Sequence, residues 1–376
     1  MTDTCSVLHL IRPRPAGEVG GADLHIADLA EAQASRGAEV AVVSIGNPEF
    51  AALLRDRGIE SIEIASENMR TWYRLASRAV TQRRPEIIHS HGYRADMMAA
   101  TLRWHRYHGR PGHRPGFVMS LHGFVRTGVG LRLLTHLNEL CLRAADVIVA
   151  TSTRETDRLA RRGHPTVFIP NGVRPAPRAP HGYLSSQLGL DGRRRVAFVG
   201  RLSPEKRPDL FLHMARRLAA DHPDLVFVLI GGGPLTWPMR RLADELGLAR
   251  RVAFTGLRRD VGELLYGVDV LVCPSDTEGT PRAVVEAMTT SVPVVATNVG
   301  GLPDLITDGV TGVIVEPGSA RLLADAVQRL IADPARARTI AKAGAACAQS
   351  RFSLEQMERQ VASAYADARR HTEVTK

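Results

Sequence analysis

Along the chain, short apolar runs alternate with longer stretches in which apolar positions recur at helical spacing. The short runs are near-continuous Val, Ile and Leu, as expected of parallel strands covered on both faces. In the first half they are Ser6–Ile11, Glu39–Ser44, Ile62–Ile64, Ile87–His89, Phe117–Leu121, Asp146–Ala150 and Val167–Ile169. In the second half they are Arg195–Val199, Val226–Ile230, Val252–Thr255, Val270–Cys273, Pro293–Ala296 and Gly312–Val315. Strands separated by helices imply βαβ units and parallel sheets. Two such series occur, and a proline-containing polar stretch separates them. The expected organisation is a first domain over 1–173, a linker over 174–193, a second domain over 194–351, and a terminal helix over 352–376 packing back on the first domain. That helix opens with Phe352-Ser353-Leu354-Glu355-Gln356-Met357. Ser353 is the expected cap, Gln356 completes a capping box, and Phe352 staples to Met357.

Composition narrows the class. A length of 376 residues fits two domains. The longest apolar runs, such as Val226–Ile230 and Val292–Ala296, fall far below the ~20 residues of a spanning helix. Met1–Leu10 has neither the basic flank nor the long apolar run of a signal peptide. Cys5, Cys141, Cys273 and Cys347 are widely spaced with no CxxC pair. This argues against a zinc site or disulfide framework and fits a reducing cytoplasm. The net charge of +10 is uneven: residues 1–180 carry 24 Arg, no Lys and 17 acidic residues. An Arg-biased composition accounts for this, as does an anionic partner such as a membrane surface, a lipid phosphate or nucleic acid. An aromatic content of 5% and the absence of a binding motif count against nucleic acid.

Ligands of open parallel sheets sit at the carboxyl ends of the strands, so the loops there carry the candidate chemistry. After the first strand, Gly20-Gly21 precedes a helical pattern and can point N–H groups at an anion; a tight turn explains it equally well. The GxGxxG fingerprint is absent there, which argues against an NAD enzyme. After Arg195–Val199, Arg201 lies just past the strand and Lys206 near the start of a helix. Two cations there make sense around an anion, or as a solvated basic loop. Gly231-Gly232-Gly233 follows the next strand. The densest signal follows Val270–Cys273: Glu278-Gly279-Thr280-Pro281 in a loop, with Pro281 suited to the first turn of a helix that contains Glu286. Two carboxylates can accept several sugar hydroxyls. Gly300-Gly301 makes another turn before a helix. No metal-ligand cluster is evident.

Together these residues resemble the retaining glycosyltransferases of family 4, with the GT-B fold: α/β, two Rossmann-like parallel-sheet domains facing a central cleft. The family's spaced glutamate pair is matched by Glu278 and Glu286. Its Gly-Arg-Leu…Lys segment is matched by Gly200, Arg201, Leu202 and Lys206. Its Pro-Asn-Gly-Val stretch is matched by Pro170–Val173, its amino-terminal glycine pair by Gly20 and Gly21, and its His-Gly by His122 and Gly123. Departures are Arg174 for Asp, Thr280 for a bulkier apolar residue, Ser291 for Gly, and Asp304 for Glu.

The resemblance implies transfer of a sugar from a nucleoside diphosphate sugar, UDP favoured and GDP possible, with retention and without a cofactor or metal. The acceptor implied is a glycan or lipid-linked molecule of cell-envelope or polysaccharide synthesis. Glu286 is expected to hold the ribose, Glu278 the donor sugar, and His122 to lie near the transferred sugar. Gly279, Thr280 and Pro281 complete the donor loop. Arg201, Lys206 and the amides of Gly20–Gly21 and Gly300–Gly301 are expected to neutralise the departing diphosphate. Acceptor binding falls to the first domain. There Arg103–Arg110 mixes cations with aromatics, and Val129–Leu142 is leucine-rich and amphipathic, so a cytoplasmic enzyme touching an anionic inner membrane face is one reading and a solvated loop beside a core helix another. The other functional readings are a nucleotide-sugar epimerase or phosphorylase of the same shape, and a non-enzymatic protein that binds anionic surfaces.

Overall fold

The computed structural model describes residues 5–11, 19–66, 68–107, 114–121, 139–180, 182–189 and 193–374. The chain divides into two compact units. Unit 1 comprises Met1–Gly172 and Leu354–Lys376; unit 2 is Val173–Ser353.

Unit 1 is built on seven parallel strands: β1 (Ser6–Ile11), β2 (Glu39–Ile45), β3 (Glu60–Ile64), β4 (Ile87–His91), β5 (Gly116–Leu121), β6 (Val147–Ala150) and β7 (Thr166–Phe168). Their order is β3-β2-β1-β4-β5-β6-β7. Its helices are α1 (Gly21–Ser35), α2 (Pro48–Asp56), α3 (Met69–Arg83), α4 (Tyr93–Tyr107) and α5 (Thr153–Ala160). Short polar caps start several of them. Asn47 accepts from the Phe50 N–H at 2.8 Å ahead of Pro48, and Ser152 accepts from the Glu155 N–H at 3.2 Å.

Unit 2 has six parallel strands: β8 (Arg194–Val199), β9 (Leu225–Ile230), β10 (Val252–Gly256), β11 (Val270–Cys273), β12 (Val294–Thr297) and β13 (Val313–Val315). Their order is β10-β9-β8-β11-β12-β13. The helices are α6 (Tyr183–Leu188), α7 (Pro208–Asp221), α8 (Thr236–Glu245), α9 (Val261–Leu265), α10 (Arg282–Thr289), α11 (Leu302–Leu305), α12 (Ala320–Ala332) and α13 (Pro334–Arg351). Every expected strand is present, with ends displaced by two residues or fewer. The strand cores are buried on both faces, which is why their sequences do not alternate.

Strand order reverses between β1 and β4 in unit 1 and between β8 and β11 in unit 2. At such a reversal the two flanking loops leave toward opposite sides of the sheet. A crevice opens at the carboxyl ends of the strands, the usual place for a ligand in this architecture.

The last helix, α14 (Leu354–Val374), belongs to unit 1. Leu354, Met357, Val361, Ala364, Tyr365 and Ala368 are buried on it against Val7, Ile87, Val118, Val147 and Val149. The expected Phe352–Met357 staple does not form. Phe352 is buried in the core of unit 2 with Val173, Leu302 and Ala348, whereas Met357 lies in unit 1. The entry to the helix is set instead by backbone: the Val173 N–H donates to Phe352 O at 3.0 Å, and Val173 bridges Ser353.

Candidate functional site

The loops after β8 and β11 meet at the reversal in unit 2. After β8 the chain runs through Gly200, Arg201 and Leu202 into a short 3-10 turn, Pro204–Lys206. Arg207 follows with φ +52°, and α7 begins at Pro208. The turn is tied to the other loop by the Asp276 N–H donating to Glu205 O at 2.9 Å. Arg207 also donates to Asp276 at 3.1 Å and to Asp209 at 2.9 Å. This backbone places Lys206 Nζ at 2.7 and 2.6 Å from the two carboxylate oxygens of Glu278.

Glu278 is held from several sides. Ser275 Oγ donates to Glu278 Oε1 at 2.7 Å, and Thr297 Oγ1 fixes that loop by donating to Ser275 O at 2.6 Å. The Gly301 N–H donates to Glu278 O at 3.2 Å. Gly300, at φ +53°, lies so close that a Cβ there would stand 1.8 Å from Glu278 O. Only glycine fits both the backbone angle and the space. The glutamate side chain is 6% exposed and the lysine 26%.

Burial alone would push the Lys206 ammonium down. The Glu278 carboxylate outweighs it and holds the pKa above the usual lysine range, so the group stays cationic. Burial also pushes the neighbouring Cys273 thiol up to about 12, with the Glu278 charge adding to it, so it stays protonated. Glu205, beside Lys206, would be raised by burial. The Ser203 hydroxyl at 2.6 Å, a backbone N–H, Lys206 and Arg201 together hold it below the ordinary carboxyl range.

The triple-glycine turn after β9 lies against the Arg201 segment. The Leu202 N–H donates to Gly232 O at 2.9 Å, and a Cβ on Gly231 (φ +136°) would stand 2.0 Å from Gly200 O. Close backbone passage is what this turn provides.

Thr280 is buried, and Pro281 stands at the residue before α10 rather than in its first turn. Glu286 lies on α10 and accepts from Arg282 Nε at 2.6 Å; both side chains are largely buried. Gly279, Thr280, Pro281 and Glu286 therefore belong to one loop–helix segment with Glu278. Gly20 and Gly21 lie in unit 1, at the start of α1. There the Gly20 N–H donates to Asp23 Oδ2 at 2.8 Å, so the helix's own acid occupies that amide. His122 lies outside the described residues, as does most of Val129–Leu142.

Two cations near one helix start read as gathered around an anion or as a solvated basic loop; Lys206 has beside it an anion of its own chain, Glu278. One sequence expectation changes here. Arg103, read as part of a basic surface stretch, is 4% exposed. It donates to Asp146 Oδ1 at 2.6 Å and to Ala144 O, and Asp146 in turn accepts from the Phe117 N–H. It supports the core beside β5. Sequence reading also missed Ser275 and Thr297, whose small hydroxyls are unremarkable until the fold aims them at the Glu278 loop.

Among the described residues, no helix is long and apolar enough to cross a membrane. Three side chains with metal-ligand chemistry, His9, His89 and His91, converge in unit 1.

Known proteins resemble both halves of the chain. Residues 19–177 match Glycosyltransferase Family 4, and residues 184–346 match Glycosyl transferases group 1. A D-inositol 3-phosphate glycosyltransferase of Mycobacterium sp. (strain KMS) is 44% identical over 138 residues, 34% of this chain and 30% of that protein. The Vi polysaccharide biosynthesis protein VipC/TviE of Salmonella typhi is 32% identical over 150 residues, 39% of this chain and 26% of that protein. The matched stretches thus span under a third of these curated relatives. Among solved structures, Anabaena Alr3699/HepE in complex with UDP-glucose superposes with a TM-score of 0.82 at 24% identity, covering 96% of this chain and 99% of that one. The fold is that of the GT-B glycosyltransferases, and with both halves of the chain matched, the protein belongs to glycosyltransferase family 4.

Proposed function

We propose that the protein is a retaining glycosyltransferase that takes a sugar from a nucleoside diphosphate sugar, UDP-sugar in preference to GDP-sugar, and passes it to a glycan or lipid-linked acceptor of cell-envelope or polysaccharide synthesis. The observation that carries this reading is the Lys206–Glu278 pair at the reversal between β8 and β11. A fixed cation and a fixed carboxylate there offer a diphosphate and a sugar their complementary partners in one place. The solved UDP-glucose complex of Alr3699/HepE supports the donor class.

In this reading the bond from sugar C1 to the diphosphate oxygen breaks, and its electron pair stays with the diphosphate. Lys206 and Arg201 stabilise the new charge. Because Lys206 is already positioned, little reorganisation is needed when the charge forms. The acceptor oxygen forms the new bond to C1, and its proton passes to the leaving phosphate. Glu278 takes donor-sugar hydroxyls, Glu286 takes the ribose, and the amides of Gly300–Gly301 assist at the phosphate. His122 serves the transferred sugar. Acceptor recognition is assigned to unit 1, with an anionic membrane face as its setting. The charge is handled by side chains and amides, so activity should survive EDTA.

A thermal-shift screen tests this. UDP, GDP and ADP are compared first, then their sugars. A nucleotide at 100 times its Kd stabilises the native state by about 2.7 kcal/mol. UDP is expected to give the largest rise in Tm, and Lys206→Met to remove it. No rise with any nucleoside diphosphate would sink the proposal.

A further inference from the structure

The face of the unit 1 sheet that α1 and α14 cover is apolar over most of its width and turns polar at the centre. His9 on β1 and His89 on β4 are register partners, and Ile11 pairs His91 two residues on, so all three imidazoles stand on the same face. Their exposures are 0%, 0% and 4%. The rings are close: 4.2 Å between the centroids of His89 and His91, 5.2 Å between His9 and His91, and 5.1 Å between His9 and His89.

Hydrogen bonds from outside the triad fix where the protons are. Gln33 Nε2 donates to Tyr365 Oη at 3.0 Å, so the tyrosine proton is directed at His89 Nδ1, 2.7 Å away. His89 then carries its own proton on Nε2 and donates it to Ser120 Oγ at 2.7 Å. Gln33 Oε1, 2.8 Å from His9 Nε2, takes the proton of that nitrogen. His9 Nδ1 is left as an acceptor, and His91 Nε2 donates to it at 2.9 Å. Two of the three rings thus hold an unprotonated nitrogen and anchor the opposite N–H on a fixed oxygen: His9 Nδ1 faces His91, and His89 Nδ1 is held by the Tyr365 hydroxyl. Such anchored tautomers are what the second shell of a metal site imposes on its histidines.

We propose that His9, His89 and His91 form a buried binding site for one zinc-class transition-metal ion. One ligand nitrogen from each ring lies within 4.8 Å of the other two. Tetrahedral coordination at ~2.0–2.1 Å needs nitrogens about 3.4 Å apart, so the widest pair closes by up to about 1.4 Å while His9 Nδ1 and His91 Nε2, now 2.9 Å apart, open by about 0.5 Å. Neutral imidazole suits zinc, copper, nickel and iron, and it discriminates against magnesium and calcium. Binding releases one proton to solvent: the ion takes the place of the proton between His91 Nε2 and His9 Nδ1, and it replaces both that hydrogen bond and the one from Tyr365 to His89. A bound ion would tie β1 to β4 at the centre of the sheet. The proposal concerns residues other than those assigned to transfer and stands apart from that reading.

The full-length protein, stripped with chelator and dialysed against zinc chloride, tests it. One equivalent of zinc is expected, with imidazole scattering in the zinc-edge X-ray absorption spectrum. Cobalt(II) in its place should give the visible bands of a tetrahedral nitrogen site. His9→Gln and His91→Gln should lose the equivalent, Ser120→Ala should weaken binding 10–100-fold, and His371→Gln, on the exposed end of α14, should bind as the wild type does. The wild-type spectra decide the matter even if a histidine variant fails to fold. Substoichiometric zinc, a bound ion without imidazole scattering, or undiminished binding by a folded His9→Gln would each overturn the proposal.

Discussion

Units 1 and 2 share one plan: parallel sheets whose order reverses beside the first strand of each. Their chemistry at that reversal is opposite. In unit 2, between β8 and β11, it carries an ion pair, Lys206 with Glu278, on loops beyond the strand ends. In unit 1, between β1 and β4, it carries imidazoles that belong to the strands themselves. The Glu278 carboxylate keeps the lysine charged, and partial exposure leaves it open to a charged ligand. Full burial favours the uncharged ring, and desolvation lowers His9 to about 4 despite the Gln33 hydrogen bond. The same topology thus opens two crevices, and the residues at each decide whether charge is exchanged there or kept out.

The largest expected effect breaks the unit 2 side of the comparison. Lys206→Met should lower turnover of a nucleotide sugar by about 10³-fold, the scale of losing one preorganised electrostatic group. It should also destabilise the fold, because Glu278 is left buried without its counter-charge. Lys206→Met with Glu278→Gln should recover the stability but not the activity. A double variant that regains turnover would show the pair to be structural only.

Next comes Gly300→Ala. The added carbon has no room against Glu278 O, and the backbone angle is left-handed. A loss of about 3 kcal/mol is expected from strain plus displacement of the loop, read by urea denaturation. Near-wild-type stability would mean that the Gly300–Glu278 contact is loose.

The third sharpens the unit 1 side. Asp96, fully buried on α4, is pushed up to about 7 by burial, against the lowering effect of the Ser90 hydroxyl at 2.6 Å. The folded state therefore holds a proton that the unfolded state gives up near 3.8, the ordinary value for an aspartate. This contribution is complete below that pH and is lost as pH rises through about 7. Between pH 5 and 7 it removes about 2 kcal/mol. Asp96→Asn should flatten that decline in a series of urea midpoints against pH; an unchanged slope would mean that the carboxyl is already ionised in the fold.

The smallest effect is a gain. Ser291 sits at φ +57° before Val292-Pro293, where the resemblance calls for glycine. Ser291→Gly should relieve about 1 kcal/mol of backbone strain and raise Tm by roughly 2–4 °C. No change in Tm would place the cost elsewhere.

The strands were legible because covered parallel strands leave an unbroken apolar signature, and Val270–Cys273 is found as read. The Glu278–Glu286 segment was legible because its residues are close in sequence: they lie on one loop and helix. The anion that meets Lys206 was not, since Glu278 is 72 positions away and the two loops meet only in the folded structure, tied by the Asp276–Glu205 backbone bond and by Arg207 to Asp276. The histidine triad was hidden for a related reason. His9 is 82 residues from His91, and strand register alone brings them together. Phe352 and Met357 misled because a local spacing rule takes no account of a chain that changes units between them.

That change of unit at Ser353 also dictates an order of manufacture. A ribosome delivers all of Val173–Ser353 before it delivers α14, so the second unit has its whole sequence while the first still lacks a helix. Until the final stretch emerges, Val118, Val147 and Val149 have nothing from α14 to cover them. A nascent chain halted near Ser353 would hold a finished back half and an open, aggregation-prone front half, the reverse of what amino-to-carboxyl growth ordinarily yields.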